Sequence, residues 1–372
     1  MTYKMKLNCL ISTLFIAFML FFQSANAQYN FTKVDEWLNN NVGSLGGRAV
    51  MMIYTKGKVV YSRSVNEMSR RQQMVGKVIA RRQGKDAGEV LQDLKEDTRI
   101  NIASCSKWLS AALVMTFVDE GKLKVTDTIG TFLPVMSAHG KGQISIAQCL
   151  AHLTGIKPGG LKEDIREISR AQSMDEVINQ IAAYPMEAAP GTAFHYSSIG
   201  LQLAAAVIEK IAGMDFETLF AERIAKPCGM IHTDFGRKKV PLAAGGARST
   251  AKDYLQFTTM LLQNGQYGGK TVLTGKSIVL MQQNHAAGKK VMGSPAEAGK
   301  WGYGFGEWVM DDVSGQQRSD AVCSPGLFGS FPFVDNKLQY TAVLFTMNIN
   351  NKGRNASYKA LKNLTDEIIK ND

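Results

Sequence analysis

Residues 104–120 carry apolar side chains on nearly every side of a helical projection, and Gly121 stands where the helix should stop. A helix without a polar face is unfavourable in water, so the rest of the chain has to enclose this one. Candidate enclosing elements lie at both ends. Residues 48–54 and 59–63 are β-rich runs on either side of the turn Thr55-Lys56-Gly57-Lys58, and residues 330–334 and 338–345 flank Asp335-Asn336-Lys337 in the same way. Helical stretches fill the middle at 174–183, at 199–211 ending at Gly213, and at 251–263, where Thr250 and Asp253 form a capping-box pattern. A last helix is expected over about 355–369. Strands at both termini with helices between predict an α+β fold in three α/β/α layers. One antiparallel sheet would form from N- and C-terminal strands and be flanked by helices, with a mainly helical subdomain over about 144–283 and a cleft beside it.

Hydrophobic residues make up 45% of the 372 and charged residues 20%, which excludes a disordered or fibrous chain. Lys4 and Lys6 precede an apolar run from Leu10 to Phe22, and Ala25-Asn26-Ala27 offers a small-x-small cleavage site. Residues 1–27 therefore read as a signal peptide, and 28–372 as one domain exported to the periplasm or secreted, with no integral membrane segment after cleavage. The formal net charge of +11 is concentrated. Between Arg63 and Lys85 there are seven basic residues and one acid, Glu67. Without aromatic interleaving or a nucleic-acid motif, this stretch reads as a solvated basic helix available for contact with an anionic envelope surface, and no nucleic-acid partner is expected. Cys105, Cys149, Cys228 and Cys323 are too scattered for a metal site and read as buried thiols.

The sharpest local feature is Ser104-Cys105-Ser106-Lys107 at the start of the enclosed helix, where a spacing of three puts Ser104 and Lys107 on one face. A serine hydroxyl is a poor nucleophile at neutral pH, but a lysine desolvated inside a protein has a lowered pKa and can take the serine proton. Downstream come Tyr196-Ser197-Ser198 just ahead of a helix and Ser324-Pro325-Gly326 just ahead of a strand pair.

In this order the three elements resemble those of the serine β-lactamase and penicillin-binding-protein superfamily, in its class C-like branch with esterases and D-amino-acid peptidases. Supporting stretches include His152-Leu153-Thr154-Gly155, Ala189-Pro190-Gly191, Gly245-Gly246-Ala247-Arg248-Ser249 and Tyr303-Gly304-Phe305-Gly306. The resemblance implies a β-lactamase/transpeptidase-like fold and a reaction needing neither metal nor cofactor. Ser104 would be the acylated nucleophile, Lys107 the residue that helps deprotonate it, and Tyr196 a second acid/base group whose pKa nearby cations, chiefly Lys107, would lower. The backbone amides of Ser104 and Leu327 would form the oxyanion hole, Leu327 without help from its side chain. Ser198, Ser324 and Gly326 would complete the substrate-binding set.

Two departures bear on substrate. Ser198 replaces the asparagine usual in the second motif, and Ser324 replaces the lysine or histidine that opens the third, while Pro325 removes a backbone donor. The missing cation ordinarily recognises a carboxylate, so the expected activity is acyl-enzyme hydrolysis of a small ester or amide. The alternatives are a β-lactamase, a D-Ala-D-Ala carboxypeptidase or D-aminopeptidase, or a non-catalytic penicillin-binding-like sensor. Arg248 and Arg318 are candidates to replace the lost cation, and His195 to tune Tyr196. Phe194, Tyr303, Phe305 and Trp308 would either line an apolar acyl pocket or fill the core.

Overall fold

The computed structural model describes residues 29–84, 86–236, 239–311, 318–348 and 352–371; the expected leader lies outside them. Seven strands form one antiparallel sheet: β1 (Arg48–Thr55), β2 (Lys58–Asn66), β3 (Gly302–Tyr303), β4 (Trp308–Val309), β5 (Ala321–Cys323), β6 (Phe331–Asp335) and β7 (Tyr340–Thr346). Their order across the sheet is β2-β1-β7-β6-β5-β4-β3. The terminal runs pair directly, Ala49 opposite Thr346 through Thr55 opposite Tyr340. Only Lys56 (φ 47°) and Gly57 (φ 82°) separate β1 from β2, two consecutive left-handed residues whose twist suits a tight hairpin.

Helices used below are α1 (Thr32–Asn41), α2 (Arg70–Gln83), α3 (Ala87–Leu91), α4 (Ser106–Asp119), α5 (Ile199–Ala212), α6 (Ala251–Leu262) and α7 (Arg354–Lys370). Strand β7 shows why the sheet needs cover on both sides, because all seven of its residues are buried. Alternate side chains meet different layers. The Tyr340 hydroxyl donates to Asp366 on α7 at 2.6 Å, whereas Phe345 packs its ring 5.7 Å from that of Tyr254 on α6. On the α7 side Tyr358 stacks on Phe331 of β6 at 4.1 Å. The expected α/β/α layering is thus present, with α7 on one face and α6 on the other.

Helix α4 lies behind α6, with Trp108 edge-on to Phe257 at 5.9 Å, and every residue from Ser106 to Phe117 is buried. The enclosure demanded by its all-round apolarity is complete. Helix α6 starts where Thr250 accepts from the Asp253 amide at 3.0 Å, the cap anticipated from the sequence. The basic stretch forms α2, opened by a Ser69/Gln72 capping box and closed by Gly84 at φ 64°. Four buried cysteines are free thiols. No described helix is long and apolar enough to cross a membrane.

Under the sheet, Lys362 on α7 donates to Asp335 at 2.7 Å and to Asp366 at 2.8 Å, and only 8% of its surface is exposed. Removing the cation would strand two carboxylates in a poorly solvated site. Lys362→Met is expected to lower unfolding free energy by about 3–5 kcal/mol, read from urea midpoints at constant m-value.

Candidate active site

The turn that presents Ser104 is fixed from behind by the segment 243–247. The short ribbon Ile100–Asn101 with Arg248–Ser249 brings the two chains together, and Ile102 N donates to the Ala247 carbonyl at 3.1 Å. Ala103 then adopts φ +47°, an uncommon conformation for a residue with a Cβ. Ser106 holds it there: its hydroxyl donates to the Ala103 carbonyl at 2.6 Å and accepts from Ala247 N at 3.0 Å. One turn later Ser110 donates to the Ala243 carbonyl at 2.6 Å. Ser104 is left half-buried at the head of α4, with its side chain on the cleft.

Lys107 is 2% exposed, and its Nζ donates to the Ala244 carbonyl at 2.8 Å and to Ser104 Oγ at 3.4 Å. Burial pushes its pKa down to about 7, against the pull of the nearby Cys105 sulfur. A neutral amine facing the serine is what proton abstraction requires. Cys105 itself is buried and pushed up by desolvation, an inert thiol beneath the helix as expected.

Tyr196, just ahead of α5, reaches the same hydroxyl. Its backbone N donates to the Gly293 carbonyl at 3.0 Å, next to the parallel pairing of Ala193–His195 with Lys290–Gly293. Its ring stacks on Trp308 at 5.2 Å and lies against His152 at 4.6 Å. The expected lowering of its pKa is not found. Burial pushes the phenol up, and the hydrogen bond with Ser104 offsets only part of that. Lys107 Nζ sits over the ring face, 4.6 Å from its centroid, where it meets the quadrupole of the ring.

The third motif forms the opposite wall. Gly326 packs so closely on the turn that presents Ser104 that a Cβ there would collide with the Ile102 carbonyl and come within 3.1 Å of Cys105 Sγ. Leu327 follows, its carbonyl accepting from Arg354 Nη1 at 3.0 Å, while no backbone carbonyl among the described residues takes its N–H. Leu327 also lines the cleft. Ser198 lines it as well, at the N-terminus of α5. Ser324 does not. It is 3% exposed and turns beneath the floor, its hydroxyl within reach of the Gly306 carbonyl at 3.3 Å and that of Ser104 at 3.4 Å. The assignment of Ser324 to substrate binding is therefore replaced by a supporting position beneath Ser104.

The resulting cleft has a volume of about 360 Å³. Of the four aromatic candidates only Trp308 lines it; Phe194, Tyr303 and Phe305 are core residues. Neither arginine replaces the lost cation. Arg318 donates to Gln282, Asn264 and Asn336, and Arg248 faces a different cavity. The walls instead carry two acids that the sequence did not single out, Asp164 and Glu297. Asp164 is 5% exposed, its Oδ1 has no partner among the described residues, and burial raises its pKa to about 6. Glu297 pairs with Arg354 at 3.3 Å. His195 is engaged with Glu187 at 2.5 Å. His152, from the stretch His152-Leu153-Thr154-Gly155, is buried at φ 59° with Nε2 3.0 Å from the Tyr303 hydroxyl, bracing the wall behind Tyr196.

Residues 42–364 match the family model described as Beta-lactamase. The chain is 26% identical to Protein Rv1367c of Mycobacterium tuberculosis over 347 residues, covering 78% of this chain and 80% of that protein. It is 24% identical to Esterase EstB of Burkholderia gladioli over 326 residues, covering 73% and 83%. The crystal structure of a family VIII carboxylesterase superimposes with a TM-score of 0.70 at 20% identity, over 90% of this chain and 97% of that one, a likeness of fold.

Two outcomes follow from the geometry. The folded Lys107 amine loses its proton near 7 and an unfolded one near 10.5, so the unfolded chain binds the extra proton between these values. The cost of burying this amine is full below pH 7 and fades towards pH 10.5. Lys107→Met is expected to stabilise the protein by about 1–3 kcal/mol at pH 6, with the gain shrinking by pH 9, in denaturant titrations at both values. Gly326→Ala should displace the wall from Ser104 and slow acylation by about 10–100-fold in stopped-flow assays with a chromogenic ester, against a smaller change in substrate affinity.

Proposed function

The chain belongs to the Beta-lactamase family, and on that footing we propose that it is a serine hydrolase acting through an acyl-enzyme at Ser104 on small esters or amides. The observation that carries this reading is the buried Lys107 amine, 3.4 Å from Ser104 Oγ and poised near neutrality where the serine opens on the cleft. As Ser104 Oγ bonds to the substrate carbonyl carbon, Lys107 takes the hydroxyl proton and the carbonyl electrons move onto oxygen. The Ser104 and Leu327 amides receive that oxyanion. The new ammonium keeps its bond to the Ala244 carbonyl and rests over the Tyr196 ring. Collapse of the intermediate expels the alcohol or amine, which takes its proton from Lys107. Water then repeats the sequence on the acyl-enzyme. Tyr196, held as a neutral phenol, serves as a hydrogen-bonding partner of Ser104 and the leaving group rather than as the primary base.

Cleft charge supports a preference among substrates. Asp164 and Glu297 on the walls disfavour the carboxylate of a penicillin or a peptide C-terminus, and favour neutral or amine-bearing esters and amides. Similarity to Esterase EstB and to the carboxylesterase fold supports esters as the first class to try. The leader pattern of residues 1–27 supports export to the periplasm or beyond.

A fluorophosphonate should label Ser104 in mass mapping, and nitrophenyl ester turnover should rise with pH through about 7 as Lys107 loses its proton. Ser104→Ala and Lys107→Ala should each reduce it by about three orders of magnitude or more. Unchanged turnover in both variants would sink the reading. With paired nitrophenyl esters, the ester of an amino acid should react about tenfold faster than that of succinate, and Asp164→Asn should narrow the gap.

A further inference from the structure

No described residue of the basic stretch between β2 and the Ser104 turn lines the candidate cleft. Helices α2 and α3 instead roof a second cavity of about 530 Å³, a size that suits a small organic ligand. It adjoins the cleft through the loop after β5, where Leu327 faces one space and Phe328 the other. Its apolar lining comes from both sides: Val75 and Ile79 of α2, Val90 of α3, Phe328 of the loop after β5 and Met347 just past the end of β7. Val75 and Ile79 leave 52% and 40% of their surface open, area that an alkyl chain would cover.

Four arginines line the same space, Arg48, Arg71, Arg99 and Arg248, and no acidic residue does among the described side chains. Arg48 is 7% exposed; one of its terminal nitrogens donates to the Gln92 carbonyl, and its Nε has no partner among the described residues. Arg99 pairs with Asp234, and its Nε is likewise buried without a partner. Burial works against the Arg48 charge, which Asp93 only partly supports. Buried guanidinium N–H groups left unpaired are costly, and a carboxylate is the group whose two oxygens match their fork.

We propose that this cavity binds a medium-chain alkyl carboxylate, the head group on Arg48, Arg99 and Arg248 and the chain along Val75, Ile79 and Phe328. The remaining cations of α2, among them Arg70, Lys77, Arg81 and Arg82, give the approach to it a field that attracts anions. The site is independent of the acyl-enzyme chemistry at Ser104, so either can fail without the other.

The test is calorimetric titration of the whole protein with dodecanoate below its micellar concentration, after Ser104 has been blocked with a fluorophosphonate or replaced by alanine. Dodecanol and dodecyltrimethylammonium serve as uncharged and cationic controls. Saturable one-to-one binding of dodecanoate is expected, with both controls about tenfold weaker or more. Arg248→Gln and Ile79→Glu should each weaken dodecanoate by about tenfold or more, and Ile79→Glu should leave nitrophenyl ester turnover of the unblocked enzyme unchanged. Ile79 is exposed enough that its variant should keep the parent thermal midpoint, so the test stands even if the arginine variant folds poorly. Equal affinity for the three amphiphiles, no saturable binding, or undiminished affinity in both variants would overturn the proposal. So would binding seen only while Ser104 is free, which would move the ligand to the catalytic cleft.

Discussion

Everything at the candidate site depends on keeping one amine away from water. Lys107 Nζ is tied to the Ala244 carbonyl at 2.8 Å and shielded by the Tyr196 ring, and its pKa near 7 follows from that enclosure. The surrounding architecture serves it. An apolar helix α4 has to be covered on all sides, the segment 243–247 supplies the carbonyls that hold its first turns, and the sheet with α6 closes the rest. The same burial opposes folding. The most useful side chain of the site is also one that the fold would be more stable without.

Much of this was legible in the residues, for reasons that differ by element. The enclosed helix and the two terminal hairpins announce themselves through periodicity and turn chemistry, and helix α6 through its Thr250 cap. Ser104 and Lys107 are readable because three residues along a helix is one turn, so sequence spacing becomes spatial contact. Strands β3 and β4 were not legible, since two residues carry no period. The ionisation of Tyr196 was misread because adjacency to a cation was weighed without burial, which acts in the opposite direction and dominates. Ser324 was misplaced because a motif gives the position of a backbone and not the direction of a hydroxyl. Asp164 and Glu297 were invisible as single acids far apart in the chain, brought to one cleft only by the fold.

Charge is divided between two neighbouring spaces. The candidate cleft at Ser104 has acidic walls, the cavity roofed by α2 and α3 is lined by arginines, and a few residues after β5 separate them. The high net charge of the sequence therefore says little about what the reacting carbonyl meets. Local placement, fixed by which loops face each other, decides which ions each space admits.

The pairing of β1 with β7 has a consequence for how the molecule is made. The hairpin of residues 48–66 is available early in synthesis, yet the neighbour that flanks β1 on its other side arrives almost three hundred residues later, at Tyr340–Thr346. Until then the buried face and open hydrogen-bonding edge of β1 have no native cover, and closing so long a loop is slow. A nascent chain of this topology spends most of its elongation with a sticky ribbon at its front, and its yield in a cell should depend on whatever holds that ribbon until the last strand emerges.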